Sequence, residues 1–311
     1  MQRLTREGNT TYDLVAAEPR LVVDPGEEFV VETEDAMGGV ITREDQPPDA
    51  SSFGPALAAD EFNPCTGPVA VRGASPGDVL AIDIVDIALA PSGVACVFEG
   101  VGPLADSFQY ADCRGPFTRV IEQRDGVGSL GDVSFALQPH IGTIAVAPAR
   151  GLSAGADANY GQGAWGGNLD CRLIAPGNRL LLPVAVEGAQ LYVGDVHGAM
   201  ADGELFGTGV ETRAEVTLRC SVLPATPLPF ARVQTPTHLV FLNSTRPLEA
   251  GIDEAFRWAM DWLVEEVGMA ARDAYVLLGI HPEVRIDVFQ MVRLGRLAAT
   301  VGVSVPLELA A

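Results

Sequence analysis

The sequence predicts a mainly β protein: a β-sandwich or barrel-like body over residues 1–223, with a smaller C-terminal α+β portion over 224–311. Three observations carry this. From Leu21 to about Leu223, short runs rich in Val, Ile and Leu recur between turn residues. The 34 Gly and 22 Pro, against 6% aromatics, follow no collagen-like period and form no low-complexity tract, so they mark tight turns between short elements. Helical spacing of apolar residues emerges only after Asp253.

In chain order, strands are expected at 28–32, 69–71, 79–88, 141–146, 179–186, 190–193 and 215–220. Alternation is clearest in Ala214-Glu215-Val216-Thr217-Leu218-Arg219-Cys220, as a strand with one face in a core requires. Pro25-Gly26, Pro76-Gly77 and Pro176-Gly177 each preset a turn feeding such a run. The stretches around the last two share the form x-A-x-P-G-(D/N)-x-L, which reads either as an internal repeat or as one turn chemistry used twice. Asp253 is expected to cap a helix to about Val267, with Ala255, Phe256, Ala259, Met260 and Leu263 on one face and Gly268 closing it. A second helix over 272–278, an alternating Val284, Ile286, Val288 run and a last strand over 303–309 follow. No Pro/Ser-rich linker separates the two portions, so one packed unit is expected.

Charge and composition exclude whole classes of function. With 41 acidic residues against 20 basic ones the net charge is −21, which disfavours nucleic acid and anionic membranes as partners. Every basic residue is Arg. The absence of Lys removes Schiff-base chemistry, a pyridoxal-phosphate anchor, a Walker A loop and the lysine-dependent amidase and nitrilase triads. Five cysteines without a C-x-x-C pair fit neither a disulfide framework nor a thiolate zinc cluster. Together with a polar N-terminus and no apolar span of membrane length, they lead to the expectation of a soluble, cytoplasmic protein.

Polar residues of catalytic type gather in three blocks between apolar strands. Gln138-Pro139-His140-Ile141-Gly142-Thr143-Ile144 delivers a histidine from a proline turn into a strand. Gly166-Gly167-Asn168-Leu169-Asp170 places two short polar side chains on either side of one apolar residue. Gly194-Asp195-Val196-His197-Gly198-Ala199-Met200-Ala201-Asp202-Gly203-Glu204 holds three carboxyls and a histidine, with Asp195 and His197 on one face of an extended strand. Each has a bland alternative: a satisfied core histidine, a turn, a solvated acidic loop. The bland reading of the third block accounts for the acids but not for the histidine. Cys171 is expected on the strand face opposite Asp170. His238 and His281 read as packing or capping residues, Asp60-Glu61 and Glu265-Glu266 as solvated faces, and Trp258 and Trp262 as a buried helix face or a subunit contact.

Taken in order, P-H-I-G-T-I, G-G-N-x-D and G-D-x-H-x-A-x-x-D-G-E resemble the acetamidase/formamidase family. The upstream Glu32-Thr33-Glu34-Asp35-Ala36-Met37-Gly38-Gly39 and Asn63-Pro64-Cys65-Thr66-Gly67-Pro68 are similar to that family's N-terminal signatures. The resemblance runs from about Val31 to the C-terminus. It implies a mostly β enzyme that hydrolyses the C–N bond of a short aliphatic amide to ammonia and a carboxylate. Carried onto matching positions, it makes His140, Asp170 and His197 candidate metal ligands, with Asp35, Asp195, Asp202 and Glu204 as nearby acids. This chain has Gly198, Met200 and Ala201 where Ala, Gln and Gly are usual in the family.

A mechanism can be assembled from the residues themselves. Two imidazoles and a carboxylate suit a divalent metal, zinc first, with calcium or another divalent ion as alternatives. Asp35 is an additional candidate ligand. Glu204 is the expected general base, Asn168 an oxyanion donor, and Asp195 the carboxylate that orients an imidazole. Met200, Asp202 and Trp165 are expected to contact substrate, with Met200 and the 154–165 stretch shaping a pocket for a bulkier acyl group. A homo-oligomer is expected. The alternatives are hydrolysis of a larger amide, a urea or a carbamoyl compound, or a non-catalytic protein that keeps the scaffold.

Overall fold

Two large sheets account for the body of this computed structural model, which describes residues 1–54, 61–149, 161–293 and 297–310. The first sheet has nine strands, in the spatial order Gln2–Leu4, Glu28–Thr33, Ala214–Leu223, Val79–Leu89, Arg179–Pro183, Arg232–Gln234, His238–Thr245, Ala299–Pro306 and Arg285–Gln290. The second runs Val133–Ala136, Val127–Leu130, Phe117–Arg124, Ser92–Val97, Glu211–Thr212, Leu191–His197, His140–Val146, Gly166–Asn168 and Gln162–Gly163, with Cys65–Val71 also paired to Leu191–His197. The main core lies between the sheets, where Phe29, Val31, Ile82 and Val216 of the first meet Val69, Ile141, Ile144 and Val193 of the second. This is the mainly β body the sequence predicts.

The C-terminal portion is joined to the body more intimately than by packing. Its strands Arg232–Gln234, His238–Thr245, Ala299–Pro306 and Arg285–Gln290 continue the first sheet, so the boundary expected near residue 223 falls inside one continuous sheet. Its helices form a covering layer, with Ala255, Ala259, Trp262 and Leu263 packed on Leu239, Phe241, Val303 and Val305. The first of them spans Leu248–Asp261 and starts five residues before Asp253, because Pro247 presets the entry at the N-cap. It then widens into a π turn over Trp262–Glu266. The second spans Ala271–Ile280, and the last strand ends at Pro306 before a 3₁₀ turn. Trp258 stacks on Phe230, and Trp262 packs on Phe241.

The Pro76-Gly77 and Pro176-Gly177 turns flank one antiparallel pair, Val79–Leu89 with Arg179–Pro183. Gly77 and Asp78 exchange hydrogen bonds with Val184, as Gly177 and Asn178 do with Ile84, so the two turns are related by a local two-fold. None of the helices among the described residues is long and apolar enough to cross a membrane.

Three strands of the second sheet, Cys65–Val71, His140–Val146 and Leu191–His197, are buried at every residue. A strand covered on both faces has no solvent to turn a polar side chain towards. Each polar group it carries must find a partner or hold a ligand.

Candidate active site

Local backbone distortions bring the acids together. Along Leu191–His197, Leu191 and Val193 face the core, as does Val196, so the two-residue alternation slips by one between them. Between them Asp195 takes a left-handed φ of 55°, so that Asp195 and His197, on one side of the strand together, are turned off the core face that Leu191 and Val193 occupy. Leu169 and Cys171 point into the core while Asn168 and Asp170 (φ 47°) face the same site. Glu204 (φ 46°) and Asn63 (φ 51°) are left-handed as well, so four of the eight positive-φ non-glycine residues among the described ones lie here. Such backbone strain collects where function over-determines the geometry.

The result is a buried cluster of four carboxyls, Asp170, Asp195, Glu204 and Glu211, around His197. Ligand atoms of Asp170, Asp195 and His197 lie within 4.8 Å of one another, as do those of His197, Glu204 and Glu211. His197 Nε2 is 3.3 Å from Asp195 Oδ1 and 3.2 Å from Glu211 Oε2. Behind it, His197 Nδ1 meets His140 Nε2 at 3.1 Å, and His140 Nδ1 lies 2.9 Å from the Gln138 carbonyl oxygen. A carbonyl only accepts, so His140 carries its proton on Nδ1 and offers Nε2 as acceptor to the Nδ1–H of His197. The chain of two imidazoles thereby fixes His197 Nε2 as the atom aimed at the carboxyls.

The remaining polar groups hold the acids in place. Asp195 Oδ2 accepts from Thr143 (3.1 Å) and Asn63 (3.2 Å), and both also donate to Asn168 Oδ1. Asn168 Nδ2 donates to Asp170 Oδ2 at 3.0 Å, and Gln290 Nε2 to the same oxygen at 3.2 Å. Glu211 Oε1 accepts from the Gly209 amide. Gly142 leaves the space: a Cβ there would stand 2.6 Å from Asp195 Oδ2 and 2.8 Å from Asp170 Oδ1.

Burial sets the proton affinities. It pushes Asp170 up to about 8, with Asp195 adding to the effect, and holds Glu204 well above the carboxylate range with Asp170 beside it. Glu211 rises to about 7 for the same reason. Burial also raises Asp195, but His197 outweighs it and draws the carboxyl below its ordinary value. His197 is held well above the usual range, because Glu211 and Asp195 overcome the cost of burying its charge; His140, buried and beside His197, is pushed down to about 3.

Do these groups suit a cation? Asp170 Oδ1 is buried and makes no hydrogen bond, and His197 Nε2 and Glu211 Oε2, also buried, meet each other only as an ion pair at 3.2 Å. Four carboxyls face one imidazole, among the described residues no Arg forms an ion pair with any of the four, and buried charge of one sign is stable only when paired or bound to metal. Oxygen donors plus one imidazole nitrogen suit zinc, manganese or calcium. The donor set fits a divalent ion.

The sequence-predicted residues are distributed unevenly about this cluster. Asp170, Asp195, His197 and Glu204 are in it. His140 stands one layer behind, with both ring nitrogens engaged. Asn168 spends its amide oxygen on two donors and an N–H on Asp170. Asp35 Oδ1 accepts from the Met37 and Gly39 amides, both at 3.0 Å, and belongs to neither group of ligand atoms. Asp202 is exposed and bonded to Arg172, 2.9 Å from Nε, tying the loop that carries Glu204 to the turn after Asp170. Met200 is half-buried; Trp165 packs against the core with its indole N–H buried and unpaired. Residues 154–160 of the expected pocket stretch, and Asp60, lie outside the described residues. Cys171 is buried in the core, which pushes its thiol up and away from nucleophile chemistry. His238 and His281 engage local groups, His238 with Thr237 and the Glu283 carbonyl and His281 with the Glu283 amide.

Sequence reasoning missed Glu211, Asn63, Thr143 and Gln290. Asn63 and Thr143 lie inside motifs already singled out, so their polarity amid apolar strands was a signal. Glu211 stands one residue after a buried Val in T-G-V-E-T, a weaker one. The Gly198 departure has a local reason: a Cβ there would run into Gln123 Oε1, whose Nε2 is anchored on Thr212 beside Glu211.

The family model for the acetamidase/formamidase family matches residues 16–164 and 160–236. Among solved structures, an acetamidase from Bacillus halodurans superposes with a TM-score of 0.85 at 31% identity, covering 98% of this chain and 97% of that one. An acetamidase from Yersinia enterocolitica gives 0.86 at 28% identity, covering 100% and 93%. An acetamidase of Mycolicibacterium smegmatis is 27% identical over 243 residues, 59% of this chain and 58% of that protein. The matched part thus spans under two thirds of the relatives compared by sequence, at 60%, 58% and 56% of their lengths.

Proposed function

Because this chain belongs to the acetamidase/formamidase family, we propose that it hydrolyses the C–N bond of a small amide, giving ammonia and a carboxylate, at the buried carboxyl–histidine cluster. The observation that carries this reading is the buried convergence of ligand atoms on His197, from Asp170 and Asp195 and from Glu204 and Glu211, with Asp170 Oδ1 making no hydrogen bond. The residues that would hold a divalent ion are those of the two groups that meet at His197: Asp170 and Asp195 on one side, Glu204 and Glu211 on the other. When bound, such an ion supplies Lewis acidity for the amide carbonyl and acidifies water.

The chain's own residues divide the remaining work. His140, whose Nδ1–H donates to the Gln138 carbonyl, keeps His197 Nε2 rather than Nδ1 aimed at the cluster. Asn63, Thr143 and Asn168 fix Asp195 and Asp170 in one geometry, so no reorganisation is needed as charge develops. Glu204, buried in the cluster beside Asp170, is the group assigned to take a proton from water and return it to the leaving nitrogen. Returning that proton matters because an amide nitrogen leaves poorly as an anion. Exhaustive chelation should abolish ammonia release from an amide panel, and one equivalent of a divalent metal should restore it. Full turnover by protein shown metal-free by elemental analysis would end the proposal.

A further inference from the structure

Gln290 closes the edge strand Arg285–Gln290, beyond the region the family model matches, and is fully buried. Its Nε2 donates to Asp170 Oδ2 at 3.2 Å. That oxygen also accepts from Asn168, which sets the nitrogen end of the Gln290 amide towards it and the oxygen end away. Oε1 is buried and has no partner. Leaving a buried acceptor unpaired is costly, a penalty a ligand donor would relieve.

The support around Gln290 is rigid. Gly203 N donates to Phe289 O (3.0 Å) and Met291 N to Gly203 O (2.9 Å), so Gln290 is bracketed by the loop that presents Glu204. Downstream, Arg246 donates to the carbonyls of Val292 (2.6 Å) and Leu297 (2.5 Å), and Gln162 exchanges two hydrogen bonds with Ala298. A side chain held from both ends, hydrogen-bonded to Asp170 through Nε2 and carrying an unpaired acceptor, has the form of a recognition group.

A primary amide presents one carbonyl oxygen and two N–H donors. An ester or a carboxylate presents lone pairs where the amide presents N–H. A neutral carbonyl oxygen accepts from the former and repels the latter. We propose that Gln290 Oε1 accepts an N–H of the substrate, selecting primary amides over esters and N,N-dialkyl amides and disfavouring retention of the carboxylate product. The inference rests on the reading of this cluster as an amide-hydrolysing site.

Two measurements test it. The first compares kcat/KM for propionamide and methyl propionate in the wild type, Gln290→Met and Gln290→Glu. Loss of the Nε2 bond to Asp170 acts on both substrates alike, so the amide-to-ester ratio isolates Oε1. Gln290→Met should lower that ratio at least tenfold, the scale on which sites built for an N–H reject its absence. Gln290→Glu, which keeps an acceptor oxygen, should hold the ratio within about threefold while both rates fall. An unchanged ratio in Gln290→Met overturns the assignment. The second needs neither turnover nor a variant: calorimetric titration of wild-type protein with propionamide and N,N-dimethylpropionamide should show at least tenfold tighter binding of the former. Equal affinities overturn the assignment even if the protein hydrolyses amides, and tenfold discrimination without turnover supports it where the hydrolytic reading fails.

Discussion

Replacing Gly142 by Ala tests whether the cluster depends on the space this glycine leaves. The added Cβ would lie 2.6 Å from Asp195 Oδ2, 2.7 Å from Asp195 O and 2.8 Å from Asp170 Oδ1, against 3.4–4 Å for ordinary contact. Something must move by about half an ångström or more, and little is free to do so. Asp195 Oδ2 is tethered to Thr143 and Asn63, and Asp170 Oδ2 to Asn168 and Gln290. Overpacking of this kind costs about 1–3 kcal/mol of stability. Displacing positioned groups on the scale of 1 Å costs on the order of 100-fold in rate. Gly279 is the control, because a Cβ there meets nothing within 4 Å and the residue is helical; Gly279→Ala should be neutral or stabilise by up to ~1 kcal/mol. Chemical denaturation, calorimetric metal titration and kcat on an amide would be run on both variants. Gly142→Ala with wild-type metal affinity and kcat within about twofold would refute the argument that the acids close on this point.

Glu204→Gln should keep fold and metal but lose roughly 100-fold or more in kcat, whereas Asp202→Asn, at an exposed latch to Arg172, should lose far less; equal kcat for Glu204→Gln and wild type moves the base elsewhere. Asp170 is raised from 3.8 to about 8, so between those pH values the folded state keeps a proton the unfolded chain has released. Stability of metal-free protein should therefore fall as pH rises through that window while metal affinity rises; a Tm that climbs from pH 5 to pH 8 after chelation contradicts the cluster's electrostatics. His140→Phe should weaken metal binding by about 10- to 100-fold without removing a ligand, and ¹⁵N shifts of His197 should lose the single tautomer; unchanged affinity shows that the second imidazole is idle. Met200→Gln should shift the kcat/KM optimum from longer amides towards acetamide, and an unaltered ranking takes position 200 out of the acyl pocket.

What the sequence determined by itself is what depends on neighbours along the chain. Alternation in 214–220 and the Pro-Gly turns made the strands legible, because side-chain direction in a strand has a period of two and Pro-Gly turns are local chemistry. The site blocks were legible for a similar reason: a histidine or carboxyl inside an apolar strand is costly unless it has a task. What escaped is what depends on register and on distant segments. Asp195 and His197 share a face by the strand's period, but the left-handed kink at Asp195 that turns the pair off the core face follows no period, and Glu211 faces the cluster because it pairs with His197 across the sheet. His140 read as a ligand from the sequence; in the fold its pairing partner is His197 itself, which puts the second imidazole behind the first. Gln290 lies 120 residues from Asp170, and only continuation of the first sheet into the C-terminal portion carries it there. Local chemistry was written in the order of residues, while the roles within the cluster were decided by strand pairing, which joins residues far apart in sequence.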